Sequence, residues 1–195
     1  YQNWIRRLAF TARLTAYFQL ITAIRAGKTA DDIRAIFRAN ANDDEFQTLL
    51  DGEVYGRPFA QAVLLRLRAD QDESVTKDFG GKITIEHVLP QNPQEGWDAF
   101  GDEEADALTY RLGNMTLMQA GANKDLGNAP YTAKRSVFEQ SGFAITRKLA
   151  TDHAEWTPER IAAHQHWMAT QATSIWRIAQ LGNCMIKKQK LELTW

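Results

Sequence analysis

Three short pieces decide the reading: ITIEHVLPQN (residues 83–92), LGNMTLM (112–118) and GANKDLGNAPYTAK (121–134). Lys82 to Leu89 reads as a short strand with β-branched Ile83, Thr84 and Ile85, and Pro90, which cannot donate to a ladder, ends it. Leu112 to Met118 reads as a second short strand. Gly121 to Pro130 is rich in turn residues, with a helix expected to begin near Ala122. Two strands closed by a helix, inside a chain otherwise patterned for helices, give an α+β molecule: mainly α with a small ββα insert.

Outward from that segment the apolar spacing is helical. Ile5, Leu8, Ala12, Ala16 and Leu20 predict a helix over 3–24 that stops at Gly27. Thr29 with Asp32 predicts a capped helix through Ile33, Ile36 and Phe37. A short helix is expected at 43–50, stopped by Asp51-Gly52, and another after Pro58, carrying Phe59, Val63, Leu64 and Leu67. Residues 91–110 read as a long acidic connection with a helical turn near 103–108. Tyr131 to Ser141 suits a helix, and Thr157-Pro158-Glu159 is a strong helix start. The expected organisation is an N-terminal helical part (1–70), a core carrying the three pieces with C-terminal helices (71–183), and a tail (184–195).

The chain has 195 residues, 44% of them hydrophobic and 24% charged, a globular balance. Its single cysteine, Cys184, excludes an internal disulfide framework and a cysteine zinc site. No run is apolar enough for a membrane span, no secretory leader is visible, and a cytoplasmic location is expected. The chain does not begin with Met and is expected to be the C-terminal part of a longer protein. Net charge is −1, but unevenly spread. Residues 70–110 hold eleven acids against two Lys, whereas 111–148 hold six basic residues against two acids. Solvated surface accounts for such blocks by default; a local nucleic-acid face is the functional alternative.

Hydrolysis of a phosphodiester needs a base near neutrality and a charge to offset the developing phosphorane. An imidazole can supply the first and a hard divalent ion the second. Glu86 and His87 are adjacent in the first strand, so regular pleating sends them to opposite faces, and their convergence on one ion requires a bend before Pro90. Asn114 opens the second strand and can brace the first, although Gly-Asn also marks turns. Asn123 follows nine residues later, about one helical turn into the closing helix; Asn123 and Asn128 can equally be helix caps.

The set Glu86-His87, Asn114, Asn123 resembles an HNH, or His-Me finger (ββα-metal), nuclease motif. Beyond it, IEHVLPQN, LGNMTL, N-x-x-LGN-x-x-Y-x-x-K and a late W-T-x-x-x-I (Trp156 to Ile161) with Trp176 resemble the C-terminal nuclease domain of GmrSD-type and SspE-type restriction proteins, over roughly 55–180. The resemblance implies a DNA endonuclease, a nickase acting in bacterial antiviral defence. It implies His87 as general base, Asn114 bracing the base and its loop, and Glu86 with Asn123 holding one Mg²⁺ or Mn²⁺. It implies DNA as partner and an N-terminal nucleotide-hydrolysing domain in the same polypeptide. Lys134, on the motif, and Arg135 and Lys124 beside it are the expected phosphate contacts. Two departures stand out: Asn123 occupies a position where many HNH proteins carry His, and His164 sits about where an Arg is expected in the late helix.

An RNA nuclease is a competing function, since no residue distinguishes the two sugars; a non-catalytic DNA-binding or sensor module is another. Trp97, Trp156, Trp167 and Trp176 are expected to pack rather than to stack on bases. His164 and His166, two apart on a helix, point to different faces and with His153 are read as packing or surface residues.

Overall fold

The computed structural model describes residues 9–41, 43–52, 59–71 and 82–176. Ile5, Leu8, Pro58 and the tail 184–195 lie outside them. Contacts divide the chain into two units, residues 1–44 with 176–195, and residues 45–175. Among the described residues the fold is mainly helical with a small two-stranded antiparallel sheet, an α+β arrangement.

In the first unit, α1 (Phe10–Arg25) and α2 (Ala30–Ala39) pack together. Gly27, at φ 64°, ends α1 because only a residue without a Cβ enters that region freely. The Gly27 N–H bonds to Ile24 O and the Lys28 N–H to Ala23 O, the paired closure of a Schellman motif. Thr29 and Asp32 form the expected capping box: the Thr29 hydroxyl accepts from the Asp32 N–H and the Asp32 carboxylate from the Thr29 N–H. Such a cap contributes about 1 kcal/mol.

The second unit holds most of α3 (Asp43–Asp51), then α4 (Ala60–Gln71), β1 (Ile83–His87), α5 (Asp102–Thr109), a 3₁₀ turn (Leu112–Asn114), β2 (Met115–Gln119), α6 (Ala120–Leu126), α7 (Tyr131–Glu139), α8 (Ala144–Asp152) and α9 (Pro158–Trp176). α5 gathers Asp102, Glu103 and Glu104 in its first turn, where the helix dipole favours acids. α9 starts at Pro158 as its sequence demands, with the Thr157 hydroxyl accepting from the Arg160 N–H. Val88, Leu89, Trp97, Tyr131, Phe138 and Trp156 belong to one buried cluster packed behind the end of β1. Complete burial of one such side chain contributes about 1.5–3 kcal/mol.

Both strands are shifted relative to expectation, and side-chain partners explain why. Val88 and Leu89 leave the ladder because their backbone bonds go to Asn114. Leu112 and Gly113 do not join β2 because the Gly113 N–H is taken by the Gln165 side chain of α9, at 2.9 Å. A Cβ at Gly113 would lie 2.4 Å from the Ile161 carbonyl oxygen and 2.8 Å from the Gln165 nitrogen. Gly113 is therefore a contact glycine, there so that α9 can press against the 3₁₀ turn. Gln165 also donates to Leu50 O and Gly52 O, joining α3, the turn and α9 through one amide.

Candidate active site

β1 and β2 pair over five positions, from Ile83 opposite Gln119 to His87 opposite Met115. Alternation along β1 puts Thr84 and Glu86 on one face and Ile85 and His87 on the other. The Glu86 face is enclosed by residues of the following helices: Lys134 of α7 reaches Glu86, Thr146 of α8 bonds Thr116 opposite it, and Asn123 of α6 reaches Thr84.

Glu86 is buried, and its Oε1 lies 2.6 Å from the Lys134 ammonium, whose side chain is wholly out of solvent. The same ammonium donates to the His87 carbonyl oxygen at 2.9 Å and stands 5.7 Å from the Trp97 ring centroid. Burial raises the Glu86 carboxyl and lowers the Lys134 ammonium from their ordinary values, each opposed by attraction to the other. A phosphate-facing Lys134 is thus not what the structure presents; its charge is held inside, against the carboxylate.

His87 is half-buried at the end of β1, with the Tyr110 ring edge-on at 6.1 Å between centroids. Burial, with the nearby Lys134 charge, pushes its pKa down to about 4. The imidazole is therefore neutral at neutral pH and, as placed, a weaker base than the free ring expected from the sequence.

Asn114 is fully buried and uses both ends of its carboxamide. Its oxygen accepts from the Leu89 N–H (2.8 Å) and the Trp156 indole (3.0 Å), and its nitrogen donates to Leu89 O (2.9 Å) and Thr109 O (3.0 Å). Its backbone oxygen also accepts from the Val88 N–H at 2.9 Å. The two residues after His87 are held by this one asparagine, so Asn114 fixes where β1 ends. Trp156 shares in that role through its indole, a partner the sequence reading treated only as packing.

Asn123, half-buried in the middle of α6, donates its amide nitrogen to Thr84 Oγ1 and Ile85 O, each at 3.1 Å. A backbone carbonyl can only accept, so the nitrogen must face the strand and the carboxamide oxygen turns away from it. Thr84, which aims this amide, carried no signal in the sequence. Asn123 does not cap its helix: the cap position of α6 is Gln119, without a side-chain bond. Lys124 is exposed on α6. Arg135 is engaged by Ala150 O and Glu139.

Among the described residues no three His, Cys, Asp or Glu side chains gather as a metal-binding group. One carboxylate and one carboxamide oxygen, completed by water, suit a hard ion such as Mg²⁺ and suit zinc poorly. Glu86 and the Thr84 that Asn123 holds lie on the same face of β1, with the Glu86 carboxylate occupied by Lys134 and the Asn123 oxygen left for such an ion.

The C-terminal histidines separate as expected: His164 is buried and His166 exposed on α9. His164 stacks on Trp167 and meets His153 edge-on at 5.4 Å, and this aromatic group backs Trp156.

Among the described residues no helix is long and apolar enough to cross a membrane. No curated protein and no solved structure matches the chain. The sequence model of one family, described as GmrSD restriction endonucleases, C-terminal domain, matches residues 40–171, a span that contains β1, β2, α6 and every residue of the site just described. The chain belongs to the C-terminal domain family of the GmrSD restriction endonucleases.

Proposed function

We propose that this domain is a metal-dependent DNA endonuclease of the HNH type, with β1, β2 and α6 as its ββα-metal finger and His87 as its general base. The observation that carries the reading is that Glu86 and the Asn123-held Thr84 lie on one face of β1, with His87 next along the same strand end. In-line displacement at phosphorus needs the attacking water and the leaving oxygen on opposite sides. Regular pairing through His87 keeps the ring on the face opposite Glu86, so the two act on one phosphate only where it sits across the end of β1.

His87 takes a proton from water as the new P–O bond forms and the bond to the 3′ oxygen breaks. General bases of this kind contribute about 10²–10⁴-fold in rate. The negative charge of an arriving phosphate raises the His87 pKa from its depressed value toward the working range. Asn114 holds Val88 and Leu89 so that the ring does not drift. Asn123 and Glu86 would hold one Mg²⁺ or Mn²⁺, which would supply positive charge against the charge that develops on the phosphate. Lys124 offers a cation to the DNA backbone, Arg135 after giving up Glu139, and Lys134 only if it leaves Glu86. One such site cuts one strand per encounter, so nicking is the expected product. A nucleotide-hydrolysing domain in the same polypeptide is the proposed controller.

The test is cleavage of supercoiled plasmid, beside an RNA substrate, with Mg²⁺, Mn²⁺ or EDTA. Wild type is expected to convert plasmid to open circles only with metal. His87→Ala should lower the rate by at least about 10²-fold, and Asn123→Ala should raise the metal concentration required. Equal cleavage by wild type and His87→Ala removes His87 from the mechanism. Cleavage confined to RNA makes the enzyme a ribonuclease, and no metal-dependent cleavage of either polymer favours a binding module.

A further inference from the structure

As it stands in the structure, paired with Glu86, the Lys134 side chain has no use in the proposed reaction. Its four-carbon stem runs from α7 to β1 and is wholly buried, and its ammonium meets two acceptors there, Glu86 Oε1 at 2.6 Å and the His87 carbonyl at 2.9 Å. The face of Trp97 lies on its flank at 5.7 Å, a contact that favours a cation. A lysine that serves a surface phosphate keeps its head in water; this one keeps its head at the carboxylate. Burying two charges together is costly, and a hydrophobic pair of similar volume often does as well for stability. The position thus calls for a reason beyond packing.

We infer that Lys134 is a positioning residue of the cleavage site: its ammonium is the internal counter-cation of Glu86, with which a divalent ion must compete, and its second bond steadies the strand end that presents His87. The inference rests on the reading above that Glu86 is a metal ligand. Without an ion, an unpaired buried carboxylate would swing toward water, and Lys134 holds it in place. With an ion, the ammonium is a like charge a few ångströms away, so it weakens the ion's hold. Such a site holds an ion weakly by itself and more firmly when substrate charge arrives with it. A lysine suits this better than an arginine because its compact charge can retract along a flexible stem, whereas a guanidinium would fix the carboxylate bidentately.

The test is isothermal titration calorimetry of the metal-free full chain with Mn²⁺, paired with thermal unfolding with and without Mn²⁺. Wild type is compared with Lys134→Met, Lys134→Gln, Glu86→Gln and the Lys134→Met/Glu86→Gln double variant. Lys134→Met should lower the metal-free unfolding midpoint and yet bind Mn²⁺ about tenfold more tightly, the scale expected for removal of one nearby like charge. Lys134→Gln, which retains a donor for the His87 carbonyl, should tighten Mn²⁺ binding with a smaller loss of stability, and gives the answer if the Met variant does not fold. The double variant should recover metal-free stability and lose Mn²⁺ binding. A lysine that merely packs would lower stability without tightening the ion. Unchanged or weaker Mn²⁺ binding in the Lys134 variants, with Glu86→Gln still abolishing it, overturns this inference and leaves the metal reading standing. Wild-type Mn²⁺ binding in Glu86→Gln overturns the metal reading, and the inference with it.

Discussion

Asn114 places an acceptor and a donor against the two backbone groups of Leu89 and lends the same acceptor to the Trp156 indole. Truncation to Ala leaves those buried groups unsatisfied, at about 1–3 kcal/mol each. Asn114→Ala is expected to lower unfolding free energy by about 3 kcal/mol or more in urea titration; a loss below about 1 kcal/mol would mean that water replaces the carboxamide. His164 gives a pH prediction. It is fully buried, its Nε2 has no hydrogen-bond partner, and burial, then the neighbouring His153 and Lys148, push its pKa down to about 3. The folded state therefore holds the ring neutral while the unfolded chain protonates it near 6.5. Stability from this group is complete above pH 6.5 and is lost as pH falls through the window toward 3. Between pH 7 and pH 5 its share of the loss is about 2 kcal/mol. His164→Phe should flatten the acid side of the stability curve by that amount in denaturation at the two pH values, and a variant as acid-sensitive as wild type would refute the assignment. His153, also shifted down by burial, adds to the same slope.

Helix starts and stops were legible in the sequence where their causes are local. The Thr29–Asp32 box, the Gly27 stop and the Pro158 start depend on residues within one turn, and α2, α1 and α9 begin or end there. The strand limits were not legible, because their causes are distant. Leu89 is drawn off by an asparagine 25 residues on, and Gly113 by a glutamine 52 residues on. The site was legible as a set of residue types at a spacing, whereas the partners of its side chains were not. YTAKR reads as a helix with outward charges, and only the fold carries Lys134 to a carboxylate 48 residues away. The α9 contact with the 3₁₀ turn yields a prediction at this scale. Gly113→Ala drives a methyl into the backbone of α9, which cannot yield as a flexible side chain would. It should destabilise by about 3 kcal/mol or more, seen as a lowered urea midpoint with unchanged slope. A neutral result would show that α9 can move aside.

The family match, residues 40–171, nearly coincides with the second unit, residues 45–175. That unit owns the sheet, the buried cluster and the whole candidate site. A fragment of residues 40–176 is accordingly expected to unfold in one cooperative transition, with its midpoint within a few degrees of that of the full chain's later transition. Calorimetry decides this, and a broad or non-cooperative melt would show that the second unit depends on the first. With a net charge of −1 the chain has no general attraction for a polyanion, so the proposed cleavage of DNA would rest on few local contacts.

The five-residue ladder between β1 and β2 has one further consequence. Side chains alternate along a strand, so a slip of a single position would exchange the two neighbours at its end: the imidazole would face the ammonium of Lys134, and the carboxylate would turn toward Tyr110. Every group would survive such a frame error, and the chemistry would be inverted. Short ladders guard their frame poorly by themselves. Here one amide grips the chain just past the last rung, and two further side chains, Asn123 and Lys134, tie down the strand before it.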